Sequence, residues 1–177
     1  REGKVRQIGL SNETAWGIGQ WLKLGERSDL PRIASVQNEY SLIQRVFDLD
    51  LAELSHHEDV GLLAYSPLAS GALTGKYLDG KLPAGSRGAI QSDGLWRANT
   101  HSEPAIRAYI ELARKHELDV AQLAIAFALT RPFMTSVIIG ATTMEQLKTD
   151  IGAADVILLP ELLKEIGAIY RKYPRPL

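Results

Sequence analysis

The sequence has no cysteine among its 177 residues, so disulfide bonds and thiolate chemistry are excluded. It also has no apolar run close to the roughly 20 residues that a membrane-spanning helix needs. Neither sign of charge dominates, because 20 Lys and Arg residues face 21 Asp and Glu residues. This balance argues against nucleic acid or an acidic membrane surface as a partner. We therefore expect a cytoplasmic protein that binds neither, since the lack of cysteine fits a reducing compartment.

The composition suits one domain with a sizeable core, because 45% of the residues are hydrophobic. We interpret residues 1–177 as a single domain. None of the four histidines has a second ligand at the spacing of a zinc site. No strand end combines a serine with an acid and a histidine, as a hydrolase triad requires. We predict no metal site, and no side chain can be assigned a catalytic role from the residues.

Short apolar runs alternate with amphipathic runs along the chain, and these two patterns predict strands and helices respectively. The predicted strands are 5–10, 33–37, 60–64 and 137–139. Each is followed by a predicted helix, and this alternation is typical of a parallel sheet covered by helices. Four such units fit either a small open α/β sheet or part of a (β/α)8 barrel. A whole barrel needs eight units and about 250 residues.

Residues 79–102 interrupt the alternation with clusters of glycine, proline and serine and with no apolar period. Loops longer than about 15 residues are uncommon in compact domains and are usually functional or disordered. We predict that residues 79–102 form a long mobile loop within the domain.

Polar side chains stand at the carboxyl end of each predicted strand. In a parallel sheet these ends lie on one face, where α/β proteins bind their ligands. The four groups are Ser11-Asn12, Gln37-Asn38, Tyr65-Ser66 and Gly140-Ala141-Thr142. Hydroxyl and amide groups can bind an amide-bearing ring, and an aromatic side chain can stack on it.

Positive charge and a helix start lie beside these groups. Residues 140–143 open directly into a predicted helix, whose first N–H groups can bind phosphate. Lys76 and Arg87, from the segment after the third strand, add the positive charge that a nucleotide phosphate requires. Taken alone, each feature has a simpler interpretation as a helix cap, a solvated charge or an aromatic residue at the edge of the core. Their coincidence at four successive strand ends favours a nucleotide site.

Five motifs, in order along the chain, carry a family resemblance. They are GKVRQIGLSN at 3–12, QNEYSL at 37–42, YSPLASG at 65–71, GKY at 75–77 and IIGAT at 138–142. They resemble the aldo-keto reductases, and most closely the subgroup of bacterial reductases and potassium-channel β subunits. The resemblance implies the second half of a (β/α)8 barrel, strands five to eight, with NADP(H) bound across its top.

The resemblance also implies a role for individual residues. Those placed at the nicotinamide are Ser11, Asn12 and Gln37, which hold its carboxamide, and Tyr65, which stacks on the ring. Those that follow the pyrophosphate are Ser66, Pro67, Leu68, Ala69 and Ser70, with Lys76 and Arg87 near the phosphates. Those at the adenosine 2′-phosphate are Gly140, Thr142 and Gln146.

The chain departs from the family pattern at one place near the adenine. The family commonly has Glu-Asn where this chain has Thr149-Asp150. Asp150 could still accept a hydrogen bond from the adenine amino group, but its negative charge would weaken phosphate binding.

The catalytic Asp, Tyr, Lys and His of the family lie on the first four strands, which are not in this sequence. We therefore expect the cofactor-binding half of an NADP(H)-dependent reductase of aldehydes or ketones, cut from a longer chain and inactive alone. Because an open parallel sheet has two edges and an uncovered face, we expect it to pair with the missing half or with another copy. The alternatives are a non-catalytic nucleotide-binding or regulatory subunit, and a self-contained α/β domain without a ligand.

Overall fold

The computed structural model describes residues 2–28, 30–91 and 97–177, and it contains a four-stranded parallel sheet. The strands are β1 (Ile8–Ser11), β2 (Ile33–Glu39), β3 (Gly61–Tyr65) and β4 (Met134–Val137). They lie side by side in sequence order, and each neighbouring pair is parallel. Sequential order with parallel pairing requires a crossover between strands, and helices supply it. The fold is α/β, as predicted, and is consistent with part of a (β/α)8 barrel of the family that the motifs resemble.

Helices connect and follow the strands. They are α1 (Ala15–Ser28), α2 (Leu51–Glu58), α3 (Arg87–Ile90), α4 (Glu103–Lys115), α5 (Val120–Leu129), α6 (Met144–Gly152) and α7 (Pro160–Lys172). Among the described residues, no helix is both long enough and apolar enough to cross a bilayer. Asp119 caps the amino terminus of α5, because its carboxylate accepts hydrogen bonds from the amides of Ala121 (2.8 Å) and Gln122 (3.1 Å).

The helices cover one face of the sheet. Leu62 and Ala64 of β3 are fully buried, whereas Gly61, Leu63 and Tyr65 at the intervening positions remain partly exposed. Because side chains alternate across a strand, Leu62 and Ala64 point toward the helices and the other three toward the opposite face. That opposite face carries the polar strand ends, so the fold leaves them accessible.

Two predictions about secondary structure need correction. The fourth strand was predicted at 137–139, but the strand is Met134–Val137. Pairing fixes these limits, because the amide of Leu62 already bonds to the carbonyl of Phe133 (2.8 Å) and Ile138 makes the last bond to Ala64 (2.8 Å). The apolar run at 137–139 therefore begins at the end of the strand, and Ile138 is 41% exposed.

The second correction concerns residues 79–102, which were predicted to be a loop without regular structure. A 3-10 turn (Leu78–Gly80) and the short helix α3 lie in this segment, and the side chain of Ser86 caps α3 by accepting from the amide of Ala89 (3.3 Å). Residues 92–96 lie outside the described residues. The mobility of the segment stays a prediction.

A carboxylate on α7 joins that helix to the end of α4. Glu165 Oε2 lies 2.5 Å from Lys115 Nζ, and Oε1 lies 3.0 Å from His116 Nε2. The hydrogen bond from Lys115, followed by the one from His116, lowers the pKa of the Glu165 carboxyl. A carboxylate with a lowered folded-state pKa stabilises the fold above its unfolded pKa of about 4.3 and loses that contribution as pH falls through the folded value.

We therefore expect Glu165→Gln to be less stable than the wild type at neutral pH, with the difference shrinking as the pH falls below about 4. Urea unfolding midpoints across a pH series measure this. Glu26→Gln, at an exposed position of α1, is the matched control and should follow the wild type throughout. A Glu165→Gln deficit that persists unchanged into acid would contradict the assignment.

Candidate nucleotide site at the carboxyl ends of the strands

The register of the sheet brings the polar strand ends together. Ser11 of β1 pairs with Gln37 of β2, and Gln37 pairs with Leu63 of β3. Two residues further along β2, Glu39 pairs with Tyr65 of β3. Directly paired residues have Cβ atoms about 5 Å apart, so these side chains share one small region at the open face of the sheet.

Asn12 links three of these strand ends. Its amide donates to the carbonyl of Gln37 (2.9 Å), its side-chain nitrogen to Ser11 Oγ (3.3 Å), and its Oδ1 accepts from the Tyr65 hydroxyl (2.7 Å). Asn12 has a φ of +54°, in the left-handed region that Asn tolerates better than most residues. The sequence therefore places Asn where the chain must turn sharply from β1 toward α1.

Asn38 holds this turn against β2. Its Oδ1 accepts from the amide of Glu13 (3.1 Å), and its side-chain nitrogen donates to the carbonyl of Glu13 (3.0 Å). A side-chain amide that satisfies both backbone groups of one residue acts like an extra pair of sheet hydrogen bonds. Asn12 therefore enters the site from a fixed backbone.

The loop after β3 has an unusual backbone. Ser66, Ala69 and Ser70 have φ values of +54°, +50° and +56°, and Gly71 follows at +91°. Left-handed conformations of non-glycine residues cost about 1–3 kcal/mol each and cluster at ligand sites. Ala69 is buried, and Leu68 packs against the core, so the surrounding structure holds the loop in place. Within the loop, the amide of Ala69 donates to the carbonyl of Ser66 (2.8 Å) and that of Gly71 to the carbonyl of Leu68 (2.9 Å).

Lys76 folds back over this loop. A Cβ atom placed on Gly71 would lie 2.7 Å from Lys76 Cε and 2.9 Å from Lys76 Nζ. The ammonium group of Lys76 therefore lies where a side chain at position 71 would otherwise be. Lys76 thus holds positive charge against a strained backbone, and its role near a phosphate stays a prediction.

Arg87 was predicted, together with Lys76, to lie near the phosphates. It begins α3, which is anchored where the amide of Gly88 donates to the Tyr77 hydroxyl (3.2 Å). The Arg87 side chain is exposed and has no hydrogen bond or ion pair to any residue that the structure describes. Its role near a phosphate stays a prediction.

A different arginine, which the sequence did not single out, lies in the site. Arg97 Nη2 is 2.8 Å from Glu39 Oε2, and Arg97 Nη1 is 3.2 Å from Ser70 Oγ. The pair therefore ties the segment after residue 96 both to the end of β2 and to the loop after β3. No local pattern could have indicated this pair, because its members lie 58 residues apart.

These groups perturb the Tyr65 phenol. Partial burial raises its pKa above the ordinary value of about 10, the nearby Glu39 carboxylate raises it further, and Arg97 opposes this. The Tyr65 side chain is therefore neutral at physiological pH, and its hydroxyl donates a hydrogen bond to Asn12.

The remaining predicted residues lie at the start of α6. The amide and the hydroxyl of Thr142 both donate to Gln146 Oε1, at 2.9 Å and 3.0 Å. Thr143 caps the helix by accepting from the amide of Gln146 (3.2 Å). Gly140 is exposed, with no atom within 4 Å of an added Cβ. The helix start is thus a structured edge whose Thr142 and Gln146 amides already donate, and its role toward a phosphate stays a prediction.

Asp150 lies on the buried side of α6. It is only 5% exposed, and burial, with Asp119 as a second cause, raises the pKa of its carboxyl. The adjoining backbone is held where Gln122 Nε2 donates to the carbonyl of Thr149 (3.2 Å). The packing of α6 against α5 accounts for the burial of Asp150. The role of Asp150 toward adenine stays a prediction.

Comparison with known proteins decides the family. The profile described as "Aldo/keto reductase family" matches residues 1–171. The chain belongs to the aldo/keto reductase family. The resemblance inferred from the motifs is therefore confirmed, and members of this family generally use nicotinamide cofactors.

Several relatives are similar over nearly the whole chain. "Protein tas" of Escherichia coli is 48% identical over 176 residues, which are 99% of this chain and 51% of that protein. A "Probable voltage-gated potassium channel subunit beta" of Oryza sativa is 33% identical, covering 90% of this chain and 53% of its own length. The "NADH-specific methylglyoxal reductase" of E. coli is 28% identical, with 89% and 46% covered. The aldo/keto reductase chain thus spans about half the length of the curated relatives it matches.

Proposed function

We propose that this chain is the cofactor-binding half of an NADP(H)-dependent aldo/keto reductase, which reduces aldehydes or ketones to alcohols. The observation that carries the proposal is the linked site at the strand ends, where the Tyr65 hydroxyl bonds to Asn12 beside Gln37 and Lys76 covers Gly71. A cofactor with an amide-bearing ring at one end and phosphates along its length matches this site, with the ring at Tyr65 and Asn12 and the phosphates at Lys76. The family membership supports the same reading.

The described residues fit the cofactor in chemical type. Amide and hydroxyl groups of Ser11, Asn12 and Gln37 would hold the carboxamide, and the Tyr65 ring would support the nicotinamide. The loop at 66–70 and Lys76 would receive the pyrophosphate, and the start of α6 the 2′-phosphate. When bound, the cofactor supplies the hydride that reduces the carbonyl group.

The proton that completes the reduction must come from elsewhere in this proposal. The Tyr65 hydroxyl already donates to Asn12 at 2.7 Å, and its raised pKa makes it a poorer acid at neutral pH. We assign the acid to the half of the relatives' length that this chain does not cover, where the family resemblance places the catalytic residues. The chain alone should then bind cofactor without turnover.

The units of the missing half-barrel would continue the sheet from its edge strands, β1 and β4. Large apolar side chains are also exposed, with Trp16 of α1 at 76% exposure and Ile157 between α6 and α7 at 83%. Exposed side chains of this size suit a protein contact. We propose the missing half-barrel as the partner, with a second copy of the chain as the alternative.

Titration with NADPH, followed by its fluorescence, tests the nucleotide site. We expect saturable binding, and we expect Lys76→Met to weaken it about tenfold, because a charged hydrogen bond to phosphate contributes on the order of 1.5 kcal/mol or more. Lys81→Met is the matched control, since this lysine lies five positions further and its side chain is 70% exposed. Equal losses in both variants, or no binding to the wild type, would contradict the proposal and would favour a domain without a ligand.

The second candidate function is a non-catalytic, nucleotide-binding regulatory subunit. The observation in its favour is the 33% identity to a protein named as a potassium-channel β subunit. An assay of carbonyl reduction separates the reductase from the regulatory subunit. It is run after the first half of a relative has been added to the chain. NADPH binding with turnover supports the reductase, and binding without turnover supports the regulatory subunit.

A further inference from the structure

The ion pair between Glu39 and Arg97 is shielded from water. Its Nε–Oε1 and Nη2–Oε2 distances are 2.5 Å and 2.8 Å, and each side chain is only 11% exposed. Two parallel N–H···O bonds make this a bidentate pair, the strongest arrangement of a guanidinium and a carboxylate. Solvent screening is weak at such a site, so the charge of either partner alone would act strongly on its surroundings.

The pair lies directly beside the residue proposed to support the nicotinamide. Glu39 is the cross-strand partner of Tyr65 on the open face of the sheet. Glu39 and Arg97 are also the charged residues that act on the Tyr65 phenol, in opposite directions. Whatever stacks on the Tyr65 ring therefore lies in the combined field of these two groups.

The two forms of a nicotinamide differ in charge, because the oxidised ring is a cation and the reduced ring is neutral. A lone carboxylate beside the ring would favour the oxidised form, whereas a neutralised one favours neither. We propose that Arg97 is a positioning residue that neutralises Glu39 and so prevents the site from preferring the oxidised cofactor over the reduced one. This inference rests on the proposed function, since it requires a nicotinamide at Tyr65.

Arg97 would exert a second effect through Ser70. Its Nη1 donates to Ser70 Oγ (3.2 Å), and Ser70 is one of the left-handed residues of the loop after β3. The same guanidinium thus holds the loop shape and sets the local charge. A change in loop shape should alter the affinity for both cofactor forms equally, whereas a change in charge should alter their ratio.

The experiment measures the dissociation constants of NADP+ and NADPH separately for the full 177-residue chain and its variants. We expect Arg97→Gln to raise the ratio of the NADPH constant to the NADP+ constant roughly threefold or more, because Glu39 is left charged. Arg97→Lys, which keeps the charge, should leave the ratio near that of the wild type. The double variant Glu39→Gln, Arg97→Gln should restore it. Arg107→Gln removes an exposed ion pair to Asp79 and serves as the control.

A second measurement needs no nucleotide. Titration of the Tyr65 phenol by NMR should give a higher pKa in Arg97→Gln than in the wild type, and a lower one in Glu39→Gln. An unchanged ratio and an unchanged Tyr65 pKa in Arg97→Gln, with both nucleotides still bound, would overturn the inference and leave the proposed function standing. Failure of the wild type to bind either nucleotide would overturn both.

Discussion

Asp48→Ala is expected to destabilise the fold by about 3–5 kcal/mol, because it removes the only carboxylate that the structure describes between two partly buried arginines. Asp48 Oδ2 lies 2.7 Å from Arg45 Nη2, and Oδ1 lies 3.4 Å from Arg131 Nη2. Oδ1 also accepts from the Tyr40 hydroxyl at 2.8 Å. The variant leaves two cations and a buried phenol without this partner, which costs more than the loss of an exposed pair.

The surroundings of these arginines leave them little to replace the carboxylate. The Arg45 guanidinium carbon lies 4.2 Å from the Tyr170 ring centroid and 4.9 Å from that of Phe127, and its side chain is 11% exposed. Arg131 Nε is already buried without a hydrogen-bond partner among the residues that the structure describes. The cation–π contacts are already present in the wild type, so they do not compensate for the lost carboxylate.

Equilibrium unfolding in urea measures the effect. Asp50→Ala is the matched control, because Asp50 is exposed and, although it precedes α2, its side chain makes no capping hydrogen bond. We expect that control to lie within about 0.5 kcal/mol of the wild type. An Asp48→Ala midpoint equal to that of Asp50→Ala would show that water replaces the carboxylate and that the network is not structural.

The contrast between this network and the helix caps explains how far the sequence predicts the fold. The Asp119 cap of α5 is local in the sequence, because its carboxylate accepts from amides two and three positions away, those of Ala121 and Gln122. The fourth strand was placed too late because the apolar run at 137–139 gave the stronger local signal. Hydrogen bonds to β3 set the true limits at Met134 and Val137, and pairing of this kind has no local signature.

The candidate site divides in the same way. Ser11, Gln37 and Tyr65 were predictable because parallel strands bring their carboxyl ends together, and the register places Ser11 opposite Gln37 as expected. Arg97 was not, because it comes from an aperiodic segment and reaches Glu39 across 58 residues. Arg87 was chosen because the family resemblance places it, with Lys76, near the phosphates, and that role stays a prediction.

Gly71→Ala is expected to weaken NADPH binding about 100-fold. Gly71 has a φ of +91°, and an alanine there is strained by about 1–2 kcal/mol. The new methyl carbon would also meet Lys76 Cε at 2.7 Å and Nζ at 2.9 Å. The ammonium must then leave the loop, and the contact that it would make with a phosphate is lost as well.

Gly85→Ala separates these two causes. Gly85 also has a positive φ, +72°, but no atom lies within 4 Å of an added Cβ. The Gly85→Ala variant should lose some stability while keeping its affinity for NADPH. Gly71→Ala introduced into Lys76→Met should cost less than it does in the wild type, because the displaced ammonium is already absent. Fully additive losses would mean that Lys76 and Gly71 act independently, and the loop and the lysine would then not form one phosphate site.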